Sequence, residues 1–147
     1  MKTFVIMLIL LLLTSCNSLS TSKQKAQLLS EYGITLNEYD DAEYIYNHEF
    51  QSIKRVLGNS ISDIKDNLKN PNSLQINSVR LVGENLWLSV NSYLIFDISA
   101  QNGFGGMARE KWMYNESGFV RKNPTAYDLR SYTTYNLQLN WQKILND

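Results

Sequence analysis

The chain has little of the material from which most catalytic and metal sites are built. Cys16 is its only cysteine and His48 its only histidine. A single cysteine excludes an intrachain disulfide framework, so the fold must be held by packing. A single histidine excludes a metal site made from several histidines, and it leaves no other imidazole to serve as the base of a Ser-His-Asp triad.

Excess charge and phosphate-binding loops are also missing. The chain has 14 Lys and Arg residues and 14 Asp and Glu residues, for a formal net charge of zero. Such a balance lacks the basic footprint of a nucleic-acid-binding protein, so we expect no nucleic-acid partner. The glycines are not spaced as G-x-G-x-x-G, and no P-loop Lys-Ser/Thr pair is present, so we expect no cofactor.

The only long apolar run is at the start of the chain, from Phe4 to Leu13, after Lys2. A helix of this length rises about 15 Å, roughly half the thickness of the hydrocarbon core, so the run is too short to span a membrane. It has the length of the apolar region of a signal peptide. The sequence Leu13-Thr14-Ser15-Cys16 that closes it resembles the lipobox of bacterial lipoproteins. The alternative is an ordinary secretory signal with a chance cysteine.

The lipobox resemblance implies cleavage before Cys16, a diacylglycerol on its thiol and an acyl chain such as palmitate on the new amino terminus. Residues 1–15 would then be the signal peptide, 16–25 the lipidated cysteine and a polar flexible tether, and 26–147 a single globular domain. The implied location is the cell envelope, with the lipid anchor in the membrane. Asn17 stands where many inner-membrane lipoproteins have aspartate, which favours the inner leaflet of the outer membrane in a diderm host.

Helical periodicity dominates the first half of the domain. A helical turn is predicted to end at Gly33, and a longer helix opens at Thr35 in the capping-box pattern T-x-x-E. We expect that helix to end with Gly58 as its C′ residue, and a short helix capped by Ser60 to follow before Pro71. The apolar face of these helices recurs at three- and four-residue steps: Tyr39, Ala42, Ile45, Tyr46, Phe50, Ile53, Val56, Leu57, Ile61, Ile64 and Leu68.

After Pro71 the period changes to two, which predicts an antiparallel β-meander of about four strands. Leu137, Trp141, Ile144 and Leu145 fit one face of a C-terminal helix, whereas residues 127–135 fit either a helix or a strand. The predicted fold class is therefore α+β, with N-terminal amphipathic helices packed on the meander. The expected strands are residues 74–81 with an irregularity near Ser78, 86–90 and 93–98 joined by a turn or kink at 91–92, 107–114, and 119–121.

Two short motifs stand about thirty residues apart: Asn70-Pro71-Asn72-Ser73 and Ala100-Gln101-Asn102-Gly103-Phe104-Gly105-Gly106. Together they resemble a recurring bacterial pattern of small secreted, lipoprotein or prophage-encoded domains of unknown function. The resemblance covers roughly residues 61–114 and implies common ancestry. It carries no established activity.

Residues 101–106 are the predicted working surface, and we refer to them as the glycine loop. The functional interpretation makes Phe104 an apolar anchor for a protein partner, with Asn102 and Arg109 as polar contacts. In the alternative, the loop is an ordinary bulged hairpin whose phenylalanine fills the core, which is a common use of such loops. A binder predicts an exposed apolar patch around Phe104. This interpretation makes the protein a non-enzymatic envelope accessory, inhibitor or exclusion factor.

The rival functional class is a small hydrolase of the cell wall or of glycans. Its chemistry needs two carboxyl groups some 5–9 Å apart in a cleft. Asp97 and Glu110, on successive predicted strands, are the candidates. Burial of one of them would raise its pKa and favour the enzyme.

Acidic residues cluster around His48 on the predicted long helix. Asp41 and His48 are two helical turns apart, about 10 Å along the axis, which is too far to share one metal ion. We therefore expect no metal there and interpret Asp40, Asp41, Glu43 and Glu49 as a solvated face. Tyr44 and His48 are spaced i, i+4 off the apolar stripe and form a further candidate contact patch.

Overall fold

The computed structural model describes residues 21–36, 42–84, 86, 88, 92–125 and 135–147. The predicted α+β class is confirmed, with helices before an antiparallel five-stranded sheet and a short helix at the C-terminus. The predictions for the signal peptide, Cys16, the Glu38 end of the capping box, Asp40 and Asp41 lie outside the described residues. The elements in chain order are α1 (21–31), α2 (Ala42–Tyr44), a π-helical turn (Ile45–Glu49), α3 (Phe50–Asp66), a 3₁₀ turn (Pro71–Ser73), β1 (Gln75–Gly83), β2 (Ser92–Gln101), β3 (Met107–Asn115), β4 (Gly118–Lys122), β5 (Tyr135–Gln138) and α4 (Trp141–Asn146).

Helix α1 ends at Gly33 as predicted, and it begins earlier than predicted. It is already helical at residue 21, so the end of the predicted tether belongs to the helix. The Gly33 amide donates to Ser30 O at 3.0 Å, and the Ile34 amide donates to Leu29 O at 2.9 Å. This is the hydrogen-bond pair of a Schellman cap, which requires a positive φ at C′. Gly33 has φ +84°.

Helix α3 runs through the position where the sequence predicted a helix end. Gly58 is inside the helix and Ser60 is buried within it, so the predicted break between them is wrong. The buried stripe continues to Ile64. Glycine inside a helix costs about 1 kcal/mol relative to alanine, and the apolar surface buried by the two following turns exceeds that cost. A Cβ at position 58 would lie 3.9 Å from Leu145 Cδ2, so the glycine faces helix α4.

The sheet has the strand order β4-β3-β2-β1-β5. The first four strands form the predicted antiparallel meander, and β5 pairs with the free edge of β1. Leu137 was expected on the C-terminal helix, but it lies in β5 opposite Leu81. Helix α4 starts at Trp141, after Asn140 caps it by accepting from the Lys143 amide. The prediction for Leu137 failed because its apolar partner comes from a strand far away in sequence.

The predicted strand over residues 86–90 is not seen in the residues that the structure describes. Leu86 and Leu88 are buried but lie in no strand, and β2 starts at Ser92. The predicted irregularity near Ser78 is confirmed, because the register of β1 against β2 shifts between Ile76 and Ser78. A shift of this kind inserts one unpaired residue and bends the strand locally.

The two faces of the sheet carry different apolar clusters. Val82, Tyr93, Ile95 and Met113 form a small buried cluster on the face turned away from the helices. The larger cluster packs against α1, α3 and α4 and forms the main core. Its buried residues are Leu29, Tyr32, Ile34, Phe50, Ile53, Val56, Leu57, Ile64, Val79, Leu81, Leu86, Leu88, Leu94, Phe96, Ile98, Trp112, Tyr114, Leu139 and Ile144.

The C-terminal segment closes against the first helix. The Asn140 amide donates to Tyr32 O at 2.9 Å, and the Tyr32 hydroxyl donates to Asp147 Oδ2 at 2.8 Å. Lys143 forms an ion pair with Glu31. Burial, together with the hydrogen bond to Asp147, raises the pKa of Tyr32 to about 12. The C-terminal segment is therefore held against the C-terminal end of α1.

Candidate functional site

The two short motifs, far apart in sequence, meet in space. Asn70 Nδ2 donates to Gln101 Oε1 at 2.7 Å, and the Gln101 amide donates to Ser73 Oγ at 2.8 Å. The same Ser73 hydroxyl donates to Asn70 O at 2.7 Å, which fixes the 3₁₀ turn that follows α3. The motifs therefore form one polar network that fastens the start of the glycine loop to the end of the helical layer.

A second set of hydrogen bonds braces the glycine loop internally. Asn102 Oδ1 accepts from the amides of Phe104 and Gly106, each at 3.0 Å. The Asn102 amide donates to Gly106 O at 2.7 Å, and Gln101 Nε2 donates to Gly105 O at 3.1 Å. Gly105 has φ +87°, a conformation that favours glycine. The side-chain oxygen of Asn102 is thus used to shape the loop, which differs from the polar contact to a partner that the sequence predicted.

Phe104 stands at the tip of this braced loop. Its relative exposure is 101%, and Met107, the first residue of β3, is 55% exposed. The alternative in which Phe104 fills the core is therefore wrong. Lys69 crosses over Gly103, whose missing Cβ leaves room for the lysine side chain. The exposed apolar group expected of a binding loop is present, on a backbone held by hydrogen bonds within the loop.

Arg109 lies on the face of the sheet turned away from the helices. Its Nε and Nη2 donate to the two carboxylate oxygens of Asp97 at 2.7 and 2.8 Å. The bulge at Asn77 directs its amide to the same carboxylate, with Nδ2 3.2 Å from Asp97 Oδ1. The Arg109 guanidinium, with a smaller effect of Asn77, holds the pKa of Asp97 below its usual range. Arg109 therefore serves first as the partner of a carboxylate within the sheet.

The two carboxylates of the hydrolase alternative lie on opposite faces of the sheet. Asp97 pairs with Lys111 in the register, whereas Glu110 pairs with Ile98 of the main core face. Side chains of successive strand residues alternate between faces, so Asp97 and Glu110 point away from each other. Glu110 accepts from Trp112 Nε1 at 2.9 Å. This pair cannot flank a substrate in one cleft, and the geometry removes the basis for that alternative.

The predicted patch of Tyr44 and His48 is part of the π-helical turn, with Tyr44 as its N-cap residue and His48 within it. The two rings contact each other with centroids 4.6 Å apart. Within the part of the chain that the structure describes, no group of three His, Cys, Asp or Glu side chains is arranged to hold a metal ion. Sequence analysis missed the Arg55–Glu116 ion pair beside this patch, because its members lie 61 residues apart and no local pattern links them.

No family model, curated protein or solved structure matches this chain. The features of the chain that bear on its function are the N-terminal Leu13-Thr14-Ser15-Cys16 sequence and the braced loop that carries Phe104.

Proposed function

We propose that this protein is a lipoprotein of the bacterial cell envelope, held at the membrane by lipid on Cys16, whose domain binds another envelope protein. The lipobox resemblance supports the anchor, and acyl chains contribute about 0.8 kcal/mol per buried CH₂ group. In the described residues, no helix has both the length and the hydropathy needed to cross a bilayer. In a diderm host, Asn17 favours the inner leaflet of the outer membrane.

The observation that carries the binding proposal is the fully exposed phenylalanine on a loop braced by its own hydrogen bonds. Aromatic side chains are enriched among the residues that dominate binding energy at protein interfaces. Ordering a flexible loop on binding would reduce affinity, and the hydrogen bonds of Asn102 and Gln101 remove that cost. The partner is a protein of the same compartment, which this chain assists, inhibits or excludes.

The first experiment is crosslinking in cells of the tagged full chain, followed by detergent extraction and mass spectrometry. A single stoichiometric envelope protein is the expected product. Burying a phenylalanine side chain is worth about 1.5–3 kcal/mol, so Phe104→Ala should weaken capture on the order of tenfold to a hundredfold. Its melting temperature should barely change, because the side chain contacts solvent.

A matched control is Tyr44→Ala, which removes another exposed aromatic ring from a different surface. It should leave capture unchanged. Equal recovery of the partner with Phe104→Ala and the unmodified chain would contradict the role of the loop. Recovery of the tagged chain alone would contradict the partner itself.

The anchor is tested separately with Cys16→Ala and radiolabelled palmitate. The variant should lose the label and accumulate in the soluble fraction or as an uncleaved precursor. Ser18→Ala, just beyond the proposed lipobox, is the matched control and should remain labelled and membrane-bound. A mature-sized Cys16→Ala product that still fractionates with membranes would contradict the lipoprotein assignment.

A further inference from the structure

A cleft of about 630 Å³ lies on the helical side of the molecule, well away from the glycine loop in the fold. One wall is the π-helical turn and the first turns of α3, and the other is the β3–β4 turn with Leu88. Its volume is within the range of small-ligand sites, about 300–1,000 Å³. Neither the lipid anchor nor the binding loop uses it.

The π-helical turn shapes the first wall. The Phe50 amide donates to Ile45 O, five residues back, so the helix is locally widened. Turns of this kind are rare and frequently occur at functional sites. Here the widening leaves Tyr44 and His48 exposed at the rim, while Glu49 is only 8% exposed in the wall. Burial raises the pKa of Glu49, with Glu116 adding to the effect and His48 opposing it.

Two of the charges that line the cleft, on Arg55 and Glu116, are paired with each other. Arg55 Nη2 donates to Glu116 Oε1 at 2.5 Å, and Ser52 Oγ donates to the same oxygen at 3.4 Å. Arg55 is thus paired with Glu116, and the pair adds no net charge to the cleft. An anionic ligand would also have to approach Glu49 and Glu116. The cleft is therefore suited to an uncharged polar ligand.

The remaining lining groups match the chemistry of a sugar. Tyr44 is 53% exposed, and its ring is backed by the imidazole of His48, so it offers an apolar platform for the C–H face of a pyranose. Asn47 and Gln51 also line the cleft. Each carries both hydrogen-bond donors and acceptors, which sugar hydroxyl and acetamido groups require.

We propose that this cleft binds a neutral sugar unit, with Tyr44 as the stacking platform and Asn47, Gln51 and Glu49 as hydrogen-bonding groups. The site is independent of the proposed protein partner, and it has no role in the capture attributed to Phe104. It gives the chain a second binding activity, toward glycan.

The test is a titration of the isotope-labelled full chain in detergent with tri-N-acetylchitotriose, followed by amide NMR. The amides of residues 44–55 and of Glu116 should shift and saturate. Loss of the stacking ring should weaken binding about tenfold in Tyr44→Ala. Phe104→Ala, which removes an exposed ring from another surface, should bind the sugar as the unmodified chain does.

Three results would overturn the proposal. The first is the absence of saturable shifts in residues 44–55, and the second is equal affinity of Tyr44→Ala and the unmodified chain. The third is a stronger response of the same amides to the cation spermidine than to the sugar, which would make the site a cation site. Since Phe104→Ala is scored by partner capture and Tyr44→Ala by sugar affinity, failure of either proposal leaves the other measurable.

Discussion

Gln101 is the residue whose replacement most directly tests how the binding loop is held. Its side chain accepts from Asn70 at 2.7 Å and donates to Gly105 O at 3.1 Å. Gln101→Ala removes both hydrogen bonds, each worth about 1 kcal/mol net for neutral groups. The hydrogen bond to Gly105 O is exposed, so water replaces part of its contribution to stability in the variant. We expect the free energy of unfolding to fall by about 1–1.5 kcal/mol.

Urea unfolding followed by tryptophan fluorescence measures this loss, and it should appear as a lower midpoint with an unchanged slope. Amide hydrogen exchange gives the local readout, since the amides of Gly105 and Gly106 should exchange faster than in the unmodified chain. A double-mutant cycle with Asn70→Ala should give a coupling energy of about 0.5–1.5 kcal/mol. Partner capture should weaken even though Phe104 is unchanged.

The matched control is Gln75→Ala, which shortens an exposed glutamine on β1. It should alter stability by less than about 0.5 kcal/mol and leave the loop amides as they are. If Gln101→Ala keeps the unfolding midpoint and the exchange rates of the loop, the network between the two motifs does not hold the loop. The loop would then not be ordered before binding by these hydrogen bonds.

Two further predictions concern stability. Gly33→Ala should cost more than about 1–2 kcal/mol in urea unfolding, because a Cβ there meets both a positive φ and Gln138 O at 2.2 Å. Gly118 has φ +112°, and no atom lies within 4 Å of a Cβ built there, so Gly118→Ala should lose only the backbone contribution. Equal losses of unfolding free energy in the two variants would contradict the steric explanation. The lowered pKa of Asp97 adds stability above the unfolded carboxyl pKa of about 3.9, and that stability is lost as pH falls through the folded value. Arg109→Gln should raise the pKa of Asp97 measured by carbon NMR and flatten the acid dependence of stability, and an unchanged pKa would contradict the ion pair.

The predictions that succeeded rest on local patterns. The alternation of apolar residues located β1, and the turn at Gly118 located the hairpin into β4, because both signals lie within a few residues. The irregularity near Ser78 was visible as a break in the same alternation. Gly33 was recognisable as a helix end because its role depends on the backbone of its own turn.

The predictions that failed depend on partners distant in sequence. The sequence around Gly58 fits a helix end, because the packing of Leu145 against this position is not visible in the local sequence. Leu137 fits the face of a helix by its spacing, because its pairing with Leu81 on a distant strand is not visible in the local sequence. The exposure of Phe104 was undecided for the same reason, since the side chain of Asn102 and the distant Asn70 fix the loop that presents it. Long-range pairing, which local propensity does not encode, decided each of these cases.

The closure of the C-terminal segment on α1 has a consequence for when the domain can fold. The hydrogen bond from Tyr32 to Asp147 joins residues 115 positions apart, and β5 completes the sheet from the last part of the chain. Contacts of such sequence separation form late and slow folding. The sheet cannot be completed until β5 has been synthesised and can pair with β1, so a growing chain stays incompletely folded until then. Under the lipoprotein proposal the chain is exported unfolded, and that delay would keep it competent for translocation.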